Sequence, residues 1–218
     1  MINVDWKKFI ITFFITISLF AVGIFFGNYL SNRKINQVKN TQDKISIDIL
    51  SSETRFALLK QSSCEDLKGD FILSDELTSV GSRLDFLEAT LGVENEDVTS
   101  LKKYYSILEI RDYLLMREIS TRCGLIPHFI LYFYSMKNDC PDCSKQWYVL
   151  TEIRNKYPEL RVYTFDYNIN LSAVRSLLQI FKIKNTKLPT FVLDDVLFSG
   201  FYGVNDLSTR VQKVLVKN

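Results

Sequence analysis

Histidine is almost missing from this chain of 218 residues; one is present, His128. A His-based metal centre or a Ser-His-Asp triad therefore has little material to draw on. Proline is absent before Pro127, and glycine is sparse over residues 41–122, so that stretch has few breakers and is rich in helix formers. No charge run stands out, and the net charge is +2, which argues against nucleic acid as a partner. What remains distinctive is four cysteines, Cys64, Cys123, Cys140 and Cys143, and one uncharged apolar run at the start.

That run is Phe9 to Phe26. At about 1.5 Å per residue it is just long enough to cross a hydrocarbon core. Trp6 and Tyr29 stand where interfacial aromatics stand, with Lys7, Lys8, Arg33 and Lys34 outside them. A cleaved signal peptide is the competing reading, but the apolar core is long for one and no Ala-x-Ala-like site follows. Residues 1–34 are thus expected to form an N-terminal tail and transmembrane anchor. Basic residues flank both ends, so the short tail, rather than charge, favours N-terminus inside and the rest outside.

Residues 35–124 read as a helical spacer domain. Leu73, Leu77, Val80, Leu84, Leu87 and Leu91 alternate four- and three-residue steps, a heptad-like seam ending at Gly92. A weaker seam, Ile45, Ile49, Phe56 and Leu59, precedes it, with Gly69-Asp70 as the turn between. A third helix opens at Asn95-Glu96-Asp97, carries Val98, Leu101, Tyr105, Leu108, Leu115 and Ile119, and stops at Gly124 and Pro127. Three helices joined by short turns run antiparallel, so the end of the first lies beside the end of the third. This predicts a small bundle with a structural disulfide between Cys64 and Cys123, which needs an oxidising compartment. Two free thiols in a cytosolic protein are the alternative.

Residues 125–218 read differently. Phe129–Tyr134 is an apolar, aromatic run of strand length, followed by a polar loop, by Cys140-Pro141-Asp142-Cys143, and by a helix-forming stretch to Lys156. Two thiols where a strand hands over to a helix are redox chemistry by placement, since unpaired N–H groups at the helix start favour a thiolate. Pro141 suits a first turn. Leu160–Asp166 alternates like a strand, Ser172–Phe181 like a helix; Thr190–Leu193 and Val196–Ser199 flank the turn dipeptide Asp194-Asp195, and a last helix covers Val204–Val216. The order is β–α–β–α–β–β–α, a mixed sheet with helices on both faces.

With the CxxC and the downstream Lys187-Leu188-Pro189-Thr190-Phe191-Val192-Leu193, this part of the chain resembles the thioredoxin-like superfamily, in particular its membrane-anchored thiol-disulfide oxidoreductases. The resemblance implies a cis-proline at Pro189 packed beside the CxxC and a substrate chain docked on the backbone of Leu188. It implies attack by Cys140, the more exposed sulfur, and resolution by Cys143, with Pro141 and Asp142 as the dipeptide that tunes the pair. It departs from the cytosolic thioredoxin pattern. Asp139 precedes the CxxC in place of Trp, Pro-Asp replaces Gly-Pro, and Tyr132 occupies the first strand where many relatives carry a buried acid, leaving Tyr132 or a water as the proton relay for Cys143. Asp139 and Asp142 should oppose ionisation of Cys140, against Lys137 and Lys145, so the couple is expected to be moderate or reducing. Protein clients with cysteines and a partner that recycles the pair are implied, and no cofactor. The competing classes are a holder of soft metal ions such as Cu(I) or Zn(II) through Cys140 and Cys143, and a non-catalytic binding module.

Overall fold

The computed structural model describes residues 10, 13–25, 50–51, 53–65, 72–137, 139–184 and 187–216, with the side chains of 72–75 excepted. Residues 1–57 and 58–218 are separate compact units.

In the first unit, residues 13–25 are helical (α1), with Phe13, Phe14, Phe20 and Phe25 exposed. Among the described residues no helix is long and apolar enough to cross a membrane. The expected transmembrane helix over Phe9–Phe26 is not found as such; residues 9, 11, 12 and 26 lie outside the described residues, as do Ile45, Ile49 and the Gly69-Asp70 turn. A second helix (α2) covers residues 53–61.

In the second unit a helical hairpin comes first. Helix α3 (Ile72–Leu91) ends at Gly92, whose φ of +84° is open to glycine without strain. Helix α4 (Glu96–Cys123) opens on Asn95, whose side chain accepts from the Asp97 N–H, and has Glu96 and Asp97 in its first turn. It closes on Gly124 in the left-handed conformation, with the Gly124 N–H donating to Ser120. Within the hairpin Gly81 lets the Tyr105 ring approach; a Cβ there would stand 3.3 Å from its hydroxyl oxygen. Residues 58–64 are tied to the end of α4. Cys64 is bonded to Cys123, Arg122 donates to the carbonyls of Lys60 and Ser62, and Lys60 pairs with Glu118.

Four strands follow: β1 (His128–Tyr134), β2 (Leu160–Asp166), β3 (Thr190–Leu193) and β4 (Val196–Ser199), in the order β2-β1-β3-β4. β1 and β2 are parallel, the other pairs antiparallel. The central strand β1 is apolar at successive positions because both its faces are covered. Ile130 and Tyr132 pack with Val149, Leu150 and Ile153 of α5 (Cys143–Lys156) and with Leu207 and Val211 of α7 (Val204–Leu215). Leu131 and Phe133 pack with Tyr113 of α4 and with Val174 and Leu177 of α6 (Ser172–Ile180). This mixed α/β sheet with flanking helices fits the thioredoxin-like fold.

Helix α4, read from the sequence as part of the spacer, therefore roofs the sheet as well as pairing with α3. It also closes the open edge of β2. Glu109 accepts the Thr164 N–H at 2.8 Å, and Asp112 accepts from Tyr163 at 2.7 Å and Arg161 at 3.0 Å. An unpaired strand edge otherwise invites other chains. Lys102, buried on the same helix, pairs with Glu88 at 2.6 Å. Burial holds the Glu109 carboxyl well above the usual carboxylate range, and it raises Asp166 in the same direction.

Candidate active site

The site lies at the C-terminal pole of β1. Cys140 and Cys143 are joined in a disulfide with Cα atoms 5.4 Å apart. The helix begins one turn later than the sequence suggests. Cys140-Pro141-Asp142-Cys143 is a turn, closed by the Cys143 N–H on the Cys140 carbonyl, and Cys143 is the first residue of α5. Asp142 is its N-cap but caps nothing with its side chain, which pairs instead with Lys145 at 2.9 Å. Cys140 thus sits just outside the helix, half-buried, with the orphan N–H groups of the first turn below it, while Cys143 is 5% exposed. Asp142 is thus ion-paired, while Asp139 is exposed.

Tyr132 secures the first turn from below. Its hydroxyl donates to the Cys143 carbonyl at 2.7 Å, and its ring is buried against Tyr134. Burial raises its pKa, so the phenol stays un-ionised and its proton is committed to the backbone. Tyr132 thus holds the backbone of Cys143 in place.

Register places the proline loop. Thr190 pairs with Phe133 and Phe191 with Tyr132, so Pro189, the residue before β3, stands at the same end of the sheet as the C-terminus of β1. The Leu188–Pro189 bond is cis, Pro189 is buried and Leu188 is half-buried. The Pro189 carbonyl accepts from Gly200, and Thr190 donates to the Lys187 carbonyl. Among the described residues the Leu188 backbone has no internal hydrogen-bond partner.

Gln146 was not singled out from sequence. Fully buried, it accepts the Tyr202 N–H at 2.8 Å and so holds the loop of residues 200–203 against α5. A polar residue one turn after Cys143 on the inner face is the signal that could have found it. Trp147 and Tyr148 lie on the exposed side of α5. His128 is at the opposite pole, where its Nδ1 lies 2.5 Å from Asp194, whose other oxygen accepts the Phe129 N–H. It staples the Asp194-Asp195 turn, both residues at positive φ, to the start of β1. Among the described residues no group of three or more His, Cys, Asp or Glu is placed to hold a metal ion.

A mixed sheet, a disulfide at the head of the helix after its central strand, and a cis-proline at the same end of the sheet make a thioredoxin-like arrangement. No protein-family model and no curated protein matches the chain. Several solved structures do. Thioredoxin-2 of the malaria parasite, described as a component of its protein secretion machinery, is 24% identical over 40% of this chain and 82% of its own, with TM-score 0.34. Thioredoxin O2 of Arabidopsis thaliana, in the oxidised state, is 19% identical over 42% and 74%, with TM-score 0.32. The germline-specific thioredoxin Deadhead of Drosophila melanogaster is 19% identical over 47% and 92%, with TM-score 0.30. Likeness at this level carries no functional weight.

Proposed function

We propose that this chain is a thiol-disulfide oxidoreductase that exchanges disulfides with cysteine-containing exported proteins. The observation that carries the reading is the Cys140–Cys143 disulfide at the mouth of α5, with Cys140 half-buried and Cys143 buried. In its reduced form the Cys140 thiolate attacks a client disulfide, forming a mixed disulfide and releasing one client thiolate, which takes up a proton. Cys143 loses its proton to water and attacks the Cys140 sulfur. The mixed disulfide breaks, the second client thiolate leaves and is protonated, and Cys140–Cys143 is restored. Two electrons pass to the client, and a partner protein returns the pair to its starting state. In reverse, the same steps oxidise a client. The exchange needs no cofactor.

The soluble part is placed outside the cytoplasm, held by the N-terminal segment. The uncharged run Phe9–Phe26 and the exposed phenylalanines of α1 support an anchor, and the Cys64–Cys123 disulfide suits an oxidising compartment. The test is the Cys143→Ser variant. Expected are mixed disulfides through Cys140, released by reductant, and loss of insulin reduction. A folded Cys143→Ser chain that captures no client, with a wild type inert toward insulin, would sink the proposal.

A further inference from the structure

A run of polar contacts leads from the helical hairpin to the loop before Cys140. Inside the hairpin Lys102 of α4, 5% exposed, pairs with Glu88 of α3 at 2.6 Å and stands 3.9 Å from Asp166, the last residue of β2. The other Asp166 oxygen accepts the Asn168 N–H at 2.9 Å, which fixes the turn after β2. The Asn168 side-chain amide donates to the Ser135 hydroxyl oxygen at 2.6 Å. Ser135 is 6% exposed, and the same oxygen accepts the Lys137 N–H at 3.1 Å. The Lys137 carbonyl accepts the Asp139 N–H, and Asp139 precedes Cys140. Register brings the two segments together. Tyr134 pairs with Asp166, and the Tyr167 N–H donates to the Tyr134 carbonyl at 2.8 Å.

β1 ends at Tyr134, so from Ser135 onward the ladder no longer holds the chain. A buried hydroxyl that accepts one backbone and one side-chain donor takes over there. The two sulfurs are thus positioned from two sides. Cys143 is carried by α5 and held by Tyr132. Cys140 is carried by the loop that starts at Ser135. How firmly that loop is held decides how often the two sulfurs, once reduced, stand within bonding reach. This is an effective concentration, and it sets the balance between dithiol and disulfide.

We infer, on the oxidoreductase reading above, that Asn168 is a positioning residue for the Cys140–Cys143 couple, acting through Ser135 on the loop that carries Cys140, with Asp166 and Lys102 holding Asn168 from the hairpin side. Its action is on the backbone of the loop and not on sulfur. Loosening the loop favours the dithiol, because the closed form needs the two sulfurs held together and the open form does not.

The test is a double-mutant cycle read on the couple itself. The full chain and its Ser135→Ala, Asn168→Ala and doubly substituted variants are equilibrated in glutathione buffers, and the state of Cys140–Cys143 is read by alkylation and mass spectrometry. The two single variants remove opposite ends of one bond, so either reads it if the other does not fold. Each is expected to shift the equilibrium constant toward the dithiol, by up to about tenfold for one lost hydrogen bond, or about 30 mV. The double variant should match Ser135→Ala alone, since Asn168 acts through Ser135. Gly124→Ala, which strains the turn before β1, is destabilised away from the loop and should leave the constant unchanged. Unchanged constants in folded variants, shifts that add in the double variant, or an equal shift in Gly124→Ala overturn the inference while exchange persists. A wild-type couple that never exchanges with glutathione overturns the oxidoreductase reading and this inference with it.

Discussion

Replacing Cys64 and Cys123 together by alanine should cost this protein about as much stability as a well-placed disulfide can supply. The bridge closes a loop of 59 residues in sequence, with a Cα–Cα distance of 5.5 Å that lies in the ordinary range for a disulfide. Chain closure of that length removes about 14 cal/mol/K from the unfolded ensemble, or about 4 kcal/mol at 25 °C. The contacts that remain do not replace it. Arg122 still bonds two carbonyls, and the Lys60–Glu118 pair, half-exposed on both sides, contributes at most a few tenths to 1 kcal/mol. Urea unfolding followed by Trp147 fluorescence is the assay. With an m-value of about 2 kcal/mol/M, the midpoint should fall by about 2 M. A loss under about 1 kcal/mol would refute the reasoning, since it would mean that residues 58–64 are held to α4 by the remaining bonds in the folded state and already near it in the unfolded one.

Three further outcomes follow from buried groups and one backbone position. Tyr132→Phe removes the donor to the Cys143 carbonyl and should cost about 1–2 kcal/mol in urea unfolding, with thiol exchange retained; abolished exchange in a stable variant would make Tyr132 part of the chemistry. Glu109 is raised in the folded state, so its contribution is complete below the unfolded carboxyl pKa and is lost as pH rises toward the folded value. Glu109→Gln should therefore flatten the decline in stability above about pH 4.5, by up to about 1.4 kcal/mol per pH unit, and identical pH profiles for the two proteins would contradict a raised Glu109 pKa. Gly124→Ala places a Cβ at φ +64° in open space, so the cost is backbone strain alone, about 1 kcal/mol by thermal or urea unfolding; no change would show that the cap relaxes.

Local signals carried much of this fold. Asn95 with acidic residues behind it, Gly92 and Gly124 after periodic runs, and Asp194-Asp195 between two apolar strands each specify their own geometry within a few residues. The apolar run of β1 announced a strand covered on both faces. What could not be read was how α4 is used. Its buried surface includes Lys102, Glu109 and Asp112, so a search for apolar periodicity sees only part of the covered face. The partners of those acids, Thr164, Tyr163 and Arg161, lie about fifty residues away on a strand edge, and nothing local links them. The same holds at the site. The motif named the two sulfurs, but the bond from Tyr132 to Cys143, the pairing of Asp142 with Lys145 and the hold of Gln146 on Tyr202 depend on packing that spacing does not encode. The start of α5 moved by one turn because the Cys140 carbonyl closes a turn before the helix begins.

The central claim is that Cys140 and Cys143 form an exchange-competent couple while Cys64 and Cys123 do not. A redox titration of the native chain in glutathione buffers, with each cysteine identified by alkylation and mass spectrometry, measures this directly. The account predicts one two-electron step at Cys140–Cys143, at a potential below about −180 mV because Asp139 disfavours a strongly stabilised thiolate, with Cys64–Cys123 still closed. Opening of Cys64–Cys123 first, or a Cys140–Cys143 bond that stays closed until the protein unfolds, would contradict it.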